Sequence, residues 1–230
     1  MKKQLALHIG EISLLLLADR AIYWPQQKAL LIADVHFGKA AAYRAQGQPV
    51  PQGTTAANLL RLDALLAAYD CAQIIFLGDF LHAPSSHAPT TLAALHAWRQ
   101  RHRDVRCILI RGNHDHHAGD PPGTLDIEMA TEPYLLGALA LRHTPGPHAM
   151  HHVIAGHVHP VFRLQGKGRQ SLRLACFYHT ATITLLPSFG DFTGGHQIDA
   201  LKNGHGERIF VTDGSGIWSV GRDYGVAVDA

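Results

Sequence analysis

Residues 29–39 read Ala-Leu-Leu-Ile-Ala-Asp-Val-His-Phe-Gly-Lys. The short apolar run to Ala33 is β-type, and it ends abruptly in Asp34-Val35-His36, two metal-ligating side chains one residue apart. The same ending recurs downstream. Ile74-Ile75-Phe76-Leu77 precedes Gly78-Asp79, and Cys107-Ile108-Leu109-Ile110 precedes Arg111-Gly112-Asn113-His114-Asp115. Leu139-Ala140-Leu141 precedes His143, and Val153-Ile154-Ala155 precedes Gly156-His157-Val158-His159. Five apolar strands therefore each end in ligand chemistry, at the place where loops on a rigid sheet carry functional groups.

The segments between these strands set the fold class. Ile12–Leu17, Ala21–Trp24 and Ala29–Ala33, broken at Asp19-Arg20 and Pro25-Gln26-Gln27, predict an antiparallel meander. Helices are expected over Lys39–Ala45, from Thr54 or Thr55 as N-cap to about Tyr69, and over about Pro89–Arg101. Leu59, Leu60, Leu62, Leu65 and Leu66 supply the second helix with its apolar stripe. Strands are expected over Gln73–Leu77 and Val105–Ile110, so strand and helix alternate as in a layered α/β sheet. After Gly112 the texture turns to sheet, with runs near 126–131, 138–141, 151–155, 161–164, 171–176, 180–186 and 208–211. Gly166-Lys167-Gly168 reads as a hairpin turn and 189–206 as an exposed loop. No linker or repeat divides the chain, so 1–230 reads as a single domain.

Composition narrows the classes. The chain has 230 residues, 47% hydrophobic and 17% charged, which excludes disorder and coiled coil. Twenty basic against eighteen acidic residues leave +2, too little to draw nucleic acid by long-range attraction, so any basic patch must be local. Cys71, Cys107 and Cys176 are odd in number and widely spaced, which indicates neither a disulfide framework nor a zinc knuckle and suits a reducing compartment. Met1-Lys2-Lys3 and the apolar residues after it imitate a secretory signal, but His8, Gly10 and Glu11 interrupt the run; a cytoplasmic protein is expected. No apolar run reaches the roughly 20 residues of a membrane span. The abnormal count is histidine, at eighteen. Imidazole is the commonest protein metal ligand.

One Asp-x-His, or one His after a strand such as His143, is weak evidence alone. Jointly the groups are costly to bury unless cations compensate them. In order and spacing they resemble the five-part signature of the calcineurin-like metallophosphoesterases: Asp-x-His, Gly-Asp, Gly-Asn-His-Asp, His and Gly-His-x-His, over 34–159. The resemblance implies a four-layer αββα sandwich of two mixed sheets with two divalent metal ions at one end. Asp34, His36 and His159 would take one ion and Asn113, His143 and His157 the other. Asp79 would bridge them, a carboxylate having two oxygens. His114 would face the substrate as general acid, with Asp115 orienting its ring. The mixed N/O donor set suits manganese, iron or zinc, with manganese taken first. The reaction implied is hydrolysis of a P–O bond by a hydroxide bridging the two ions. Two departures stand out: His82 replaces the Asp of Gly-Asp-x-x-Asp, supporting the cluster or capping the loop, and Thr144 follows His143 where Gly is frequent.

A narrower likeness spans nearly the whole chain. Asp34–Lys39, Tyr43-Arg44, Pro49-Val50-Pro51, Gly78–His82, Gly156–Pro160 and Leu186–Gly190 resemble the ICC-like branch that includes ligase-associated DNA-damage-response endonucleases. That implies a phosphodiesterase or nuclease with DNA as substrate, working beside a DNA ligase in repair. A phosphomonoesterase or cyclic-nucleotide phosphodiesterase uses the same metal chemistry, and a metal-retaining scaffold of a repair complex is the non-enzyme alternative. Arg99, Arg101, Arg103 and Arg106 read as cations suited to a helix C-terminus. Arg163, Lys167, Arg169 and Arg173 form a basic hairpin, suited to phosphates or to an ordinary exposed β edge. Arg44 fits either a substrate phosphate or a surface helix. His116, His117, His148, His151 and His152 read as solvent-facing or outer-shell groups, and Trp98 and Trp218 as packing residues.

Overall fold

The computed structural model describes residues 1–45, 47–50, 53–166, 170–198, 206–221 and 227–228. The first sheet has seven strands in sequence order: β1 (Gln4–Ile9), β2 (Ile12–Leu17), β3 (Ala21–Trp24), β4 (Ala29–Ile32), β5 (Gln73–Leu77), β6 (Arg106–Ile110) and β7 (Ile127–Ala130). Neighbours are antiparallel up to β4 and parallel from β4 to β7. Helices α1 (Lys39–Ala45), α2 (Thr54–Ala68), α3 (Pro89–Arg101) and α4 (Asn113–Ala118) lie in the connections.

The second sheet contains β8 (Tyr134–Leu136), β9 (Leu139–Arg142), β10 (His152–Ala155), β11 (Pro160–Gln165), β12 (Ser171–His179), β13 (Ile183–Leu185), β14 (His196–Gln197), β15 (Arg208–Thr212), β16 (Ile217–Val220) and β17 (Ala227–Val228). β9, β10 and β13 run parallel at its centre.

Period-two alternation sorts the parallel strands onto two cores. Ala29, Leu31, Ile75, Leu77, Ile108 and Ile110 face the second sheet and meet Leu139, Leu141, Ile154 and Phe177. Leu30, Ile32, Ile74, Phe76, Cys107 and Leu109 face outward onto Leu59, Leu62 and Leu65 of α2 and Leu95 and Trp98 of α3. Strands buried on both faces are written as continuous apolar runs. The outer face of the second sheet carries an apolar cluster of Phe162, Cys176, Ile209 and Val211, and among the described residues no α-helix follows Ala118.

Several local expectations differ from the structure. Gly53, in the left-handed region at φ 89°, caps α2 in place of Thr54 or Thr55, and the Thr55 hydroxyl accepts the Gly38 amide instead. Leu60 is 67% exposed, since the stripe of a 3.6-residue period cannot hold adjacent leucines 59 and 60 on one face. The segment 189–206, expected as an exposed loop, begins buried, with Phe189 and Gly190 tied to Ala33 and Asp34, and carries β14; its residues 199–205 lie outside the described ones. The 166–168 turn is closed by the Gly166 amide donating to the Gln170 carbonyl at 2.8 Å, while Lys167, Gly168 and Arg169, like His205, lie outside the described residues. Trp98 is core and Trp218 packs on the outer cluster.

Candidate metal centre

Every candidate ligand leaves the carboxyl end of a strand, and the chain turns sharply there. Among the described residues nine non-glycine residues have positive φ, and five are Asp34 (55°), His36 (49°), Asp79 (51°), His157 (70°) and His159 (50°). Such conformations cost on the order of 1–3 kcal/mol each and persist where surrounding contacts over-determine them. The contacts are visible. The β4–β5 pairing continues irregularly past the strands: His36 N donates to Asp79 O at 2.8 Å, Phe37 N to Phe80 O at 2.8 Å and His82 N to Phe37 O at 3.2 Å. Asp34 O accepts Ser188 Oγ at 2.8 Å and the Gly190 amide at 3.0 Å. Arg61, stacked 4.0 Å from the Phe189 ring and bonded to the Phe189 carbonyl, holds that last loop in place.

The geometry forms two adjoining groups. Ligand atoms of Asp34, His36, Asp79 and His159 lie within 4.8 Å of one another. His159 Nε2 is 3.6 Å from Asp34 Oδ2 and 3.5 Å from His36 Nε2. In the second group, His143 Nε2 is 2.9 Å from Asn113 Oδ1, 3.0 Å from His157 Nδ1 and 3.5 Å from Asp79 Oδ1. Asp79 turns Oδ1 toward this group and Oδ2 toward His36, at 3.7 Å. Asp34, His36, Asp79 and His143 are buried, whereas Asn113 and His157 are exposed, so access is from the second group's side.

The placement of protons tests whether cations fit here. His143 Nδ1 lies 3.0 Å from the Leu77 carbonyl, a pure acceptor, so that nitrogen carries the proton and Nε2 of the neutral ring is a bare lone pair. It faces the oxygens of Asn113 and Asp79. Likewise His159 Nδ1 lies 3.1 Å from the Thr193 carbonyl, leaving Nε2 toward Asp34 and His36. Asp34 Oδ1 and His36 Nδ1 are buried with no hydrogen-bond partner. Nitrogen and oxygen donors converging this closely suit divalent cations, and imidazoles whose second nitrogen donates to a carbonyl are oriented as metal ligands are. The absence of thiolates keeps the donor set to N and O.

Ionisation follows from burial. Burial pushes the His36 ring well below its ordinary pKa, with Lys39 and His159 adding to the effect, so it stays a neutral donor. Burial, then His143, also lowers His157. For His159 burial opposes charge, yet contact with Asp34 overcomes it and the pKa is raised. The protonated form of His159 competes with metal uptake, so affinity should climb as pH rises past the ordinary imidazole value of about 6.5. Proton release on adding Mn²⁺ to metal-free protein in dilute buffer near pH 7 measures this; uptake without release contradicts it.

His114 lies at the rim, its ring 4.9 Å from that of His36 and stacked on His82 at 4.8 Å. Its Nδ1 is 2.8 Å from the His82 carbonyl, leaving Nε2 for a substrate. Asp115 does not orient that ring. Its Oδ1 accepts the amides of Phe80 (2.9 Å) and Leu81 (3.1 Å) and its Oδ2 that of Gly112 (2.9 Å), capping α4 and locking it to the Asp79 loop. The structure shows His114 Nδ1 bonded to the His82 carbonyl and both Asp115 oxygens bonded to amides, so the expected His114–Asp115 pairing is corrected to His114–His82. His82 thus supports the cluster through its carbonyl and its ring, whose pKa is pushed down to about 4 by burial, Lys39 and His114.

Lys39 has no role legible in its sequence neighbourhood. In the fold it is buried, its pKa lowered by burial against the opposing pull of Asp79 and Asp34. Arg44 donates to the Val50 carbonyl at 3.4 Å. Arg99 ties α3 to the Leu125 carbonyl and Asp126, and Arg101 and Arg106 pair with Asp63 and Glu128. Those three cations therefore serve structure.

Close approach explains the glycines. At Gly78, with φ 81°, an added Cβ would lie 2.1 Å from His143 Nδ1. Gly78→Ala should therefore cost about 2 kcal/mol or more and displace His143. A lower urea midpoint together with weaker Mn²⁺ retention is the expected result; unchanged values for both would contradict this packing.

Two sheets holding a buried, proton-poor set of His, Asp and Asn at their carboxyl ends define a divalent-metal hydrolase site. A family model described as calcineurin-like phosphoesterase matches residues 28–136. Among solved structures, the nuclease MPE of Pseudomonas putida is 49% identical, with a TM-score of 0.82 over 94% of this chain and 100% of that chain. The chain belongs to the calcineurin-like phosphoesterase family and is a metal-dependent phosphoesterase, with a dinuclear divalent centre implied by that membership. A protein of unknown function, AQ665 from Aquifex aeolicus, is 19% identical over 57% of this chain and 78% of that one, with a TM-score of 0.38. No curated protein matches the chain. No helix among the described residues is long and apolar enough to cross a membrane.

Proposed function

We propose that this phosphoesterase is a manganese-dependent phosphodiesterase of nuclease type acting on DNA, and that residues 1–230 work as one domain. The observation supporting the substrate class is the likeness to the Pseudomonas putida nuclease over 94% of the chain. The motif resemblance supports a place in DNA repair beside a DNA ligase, and the unpaired cysteines support a cytoplasmic location. Asp34, His36 and His159 would hold one ion and Asn113, His143 and His157 the other, with Asp79 turning an oxygen to each. Bound ions supply Lewis-acid polarisation of the phosphoryl group and an activated water. The protein's own part is to orient and to move protons. The carbonyls of Leu77 and Thr193 fix His143 and His159 in the ligating tautomer. The His82 carbonyl aims the His114 ring, whose Nε2 delivers a proton to the leaving oxygen.

A panel with Mn²⁺ tests the reading: bis-p-nitrophenyl phosphate, p-nitrophenyl phosphate, and single- and double-stranded DNA. Cleavage of the diester and of at least one DNA, ahead of the monoester, is expected. Preference for the monoester with neither DNA cut overturns the nuclease assignment, and no hydrolysis at all with Mn²⁺, Fe²⁺ or Zn²⁺ favours the scaffold.

A further inference from the structure

A groove opens directly beside the metal centre, with His159 in its wall and Arg173, Phe192 and the 188–194 loop around it. Three observations give it a chemical character. First, β11 and β12 are antiparallel with Arg163 opposite Arg173, on the face shared with Val161 and Ala175. Both arginines are exposed, and like charges directly opposite on one face repel unless an anion joins them. Arg173 donates to the Gly195 carbonyl at 2.6 Å, which leaves other N–H groups of its fork for an acceptor. Second, the acid in the groove is already paired: Asp191 lies 3.2 Å from Arg20 and 3.9 Å from Arg61. The surplus charge facing a ligand is therefore positive. Third, Phe192 is 50% exposed at φ 58°, an unusual conformation for a bulky residue, and it offers an aromatic face at the groove.

Strand geometry sets the scale. At about 3.3 Å per residue, Arg163 lies roughly 13 Å along the chain from His159, a reach of a nucleotide or two. Resting on the nuclease reading above, we propose that this groove is a flanking-nucleotide subsite: Arg163 and Arg173 clamp a backbone phosphate next to the scissile one, and Phe192 stacks on a neighbouring base. The ligand class is a nucleic-acid strand, recognised by phosphate charge and by a π-face that any base offers, so the subsite carries strand positioning with little sequence preference.

The test uses the Mn²⁺-loaded protein and a fluorescein-labelled phosphorothioate oligonucleotide, read by anisotropy across a salt series. Arg163→Ala with Arg173→Ala should weaken binding about tenfold at low salt. It should also flatten the log Kd against log salt slope by about 0.7 for each phosphate no longer neutralised. Phe192→Ala should weaken binding by on the order of tenfold with the slope kept, and Phe192→Tyr should restore it. In parallel, the ratio of oligonucleotide to bis-p-nitrophenyl phosphate kcat/KM should fall about tenfold in the arginine variant, because the small diester has no flanking nucleotide. Parent-like binding in both variants overturns the subsite while leaving the nuclease reading intact. An equal fall on both substrates also overturns it, since the residues would then act on the metal centre. A parent protein that hydrolyses the small diester but neither binds nor cuts the oligonucleotide overturns both readings.

Discussion

Asp79→Asn is expected to lower kcat/KM for a phosphodiester by on the order of 10³ or more, the several kcal/mol that a paired-ion site contributes. Asp79 turns its two oxygens to different ligand groups, Oδ2 toward His36 at 3.7 Å and Oδ1 toward the bare Nε2 of His143 at 3.5 Å. Asparagine keeps one oxygen in place for the His114 amide, which donates to Oδ1 at 2.9 Å, but lacks the charge and the second donor oxygen. Metal content by elemental analysis should fall with the activity. The metal-free variant should be as stable as the parent or more so, because a buried carboxylate beside Asp34 has been neutralised. A variant that keeps its full metal complement and its turnover would remove Asp79 from the bridging position. A lower melting temperature without metal would point to a structural role.

His114→Ala is expected to slow turnover by about 10²- to 10⁴-fold with metal content kept, because His114 belongs to neither of the two ligand groups that share Asp79; its ring nitrogen gathers only with those of His36 and His82 at the rim. The leaving group makes the test specific. A nitrophenolate departs without a proton, whereas the alkoxide of a nucleic-acid strand needs one, so the variant should lose far more activity on an oligonucleotide than on bis-p-nitrophenyl phosphate. Equal losses on both would assign His114 to positioning rather than to proton delivery. Asp115→Asn should behave differently again. It leaves the His114–His82 contact untouched but weakens a carboxylate that ties Phe80, Leu81 and Gly112, so about 1–3 kcal/mol of stability should go, readable as a lower urea midpoint.

The core strands were legible because both of their faces are buried, which writes Leu30–Ile32, Ile74–Leu77 and Cys107–Ile110 as unbroken apolar runs. The seven candidate ligands were legible because each stands at the end of such a run. The α4 turn was not, since six residues rich in histidine carry no helical stripe, and its order comes from the Asp115 cap. The Leu60 and Thr54 expectations failed where rotation about a helix axis and a left-handed glycine decided the outcome. The second sheet's short strands, such as β8 and β16, have too few residues to show a period and take their form from pairing with neighbouring strands.

The amino-acid sequence alone determined which side chains could meet: apolar strands of five or so residues, each followed by Asp, Asn or His, place those groups at the carboxyl ends of strands. Which nitrogen of His143 is bare, whether Asp115 serves a ring or three amides, that Lys39 lies near Asp34 and Asp79, and that Phe192 and Arg173 line a groove with His159 were decided by tertiary structure. Those facts depend on carbonyls, amides and strand registers supplied by segments up to 154 residues away, as Ser188 on Asp34 illustrates. No local pattern can encode the orientation of a ring whose proton is assigned by a distant backbone oxygen.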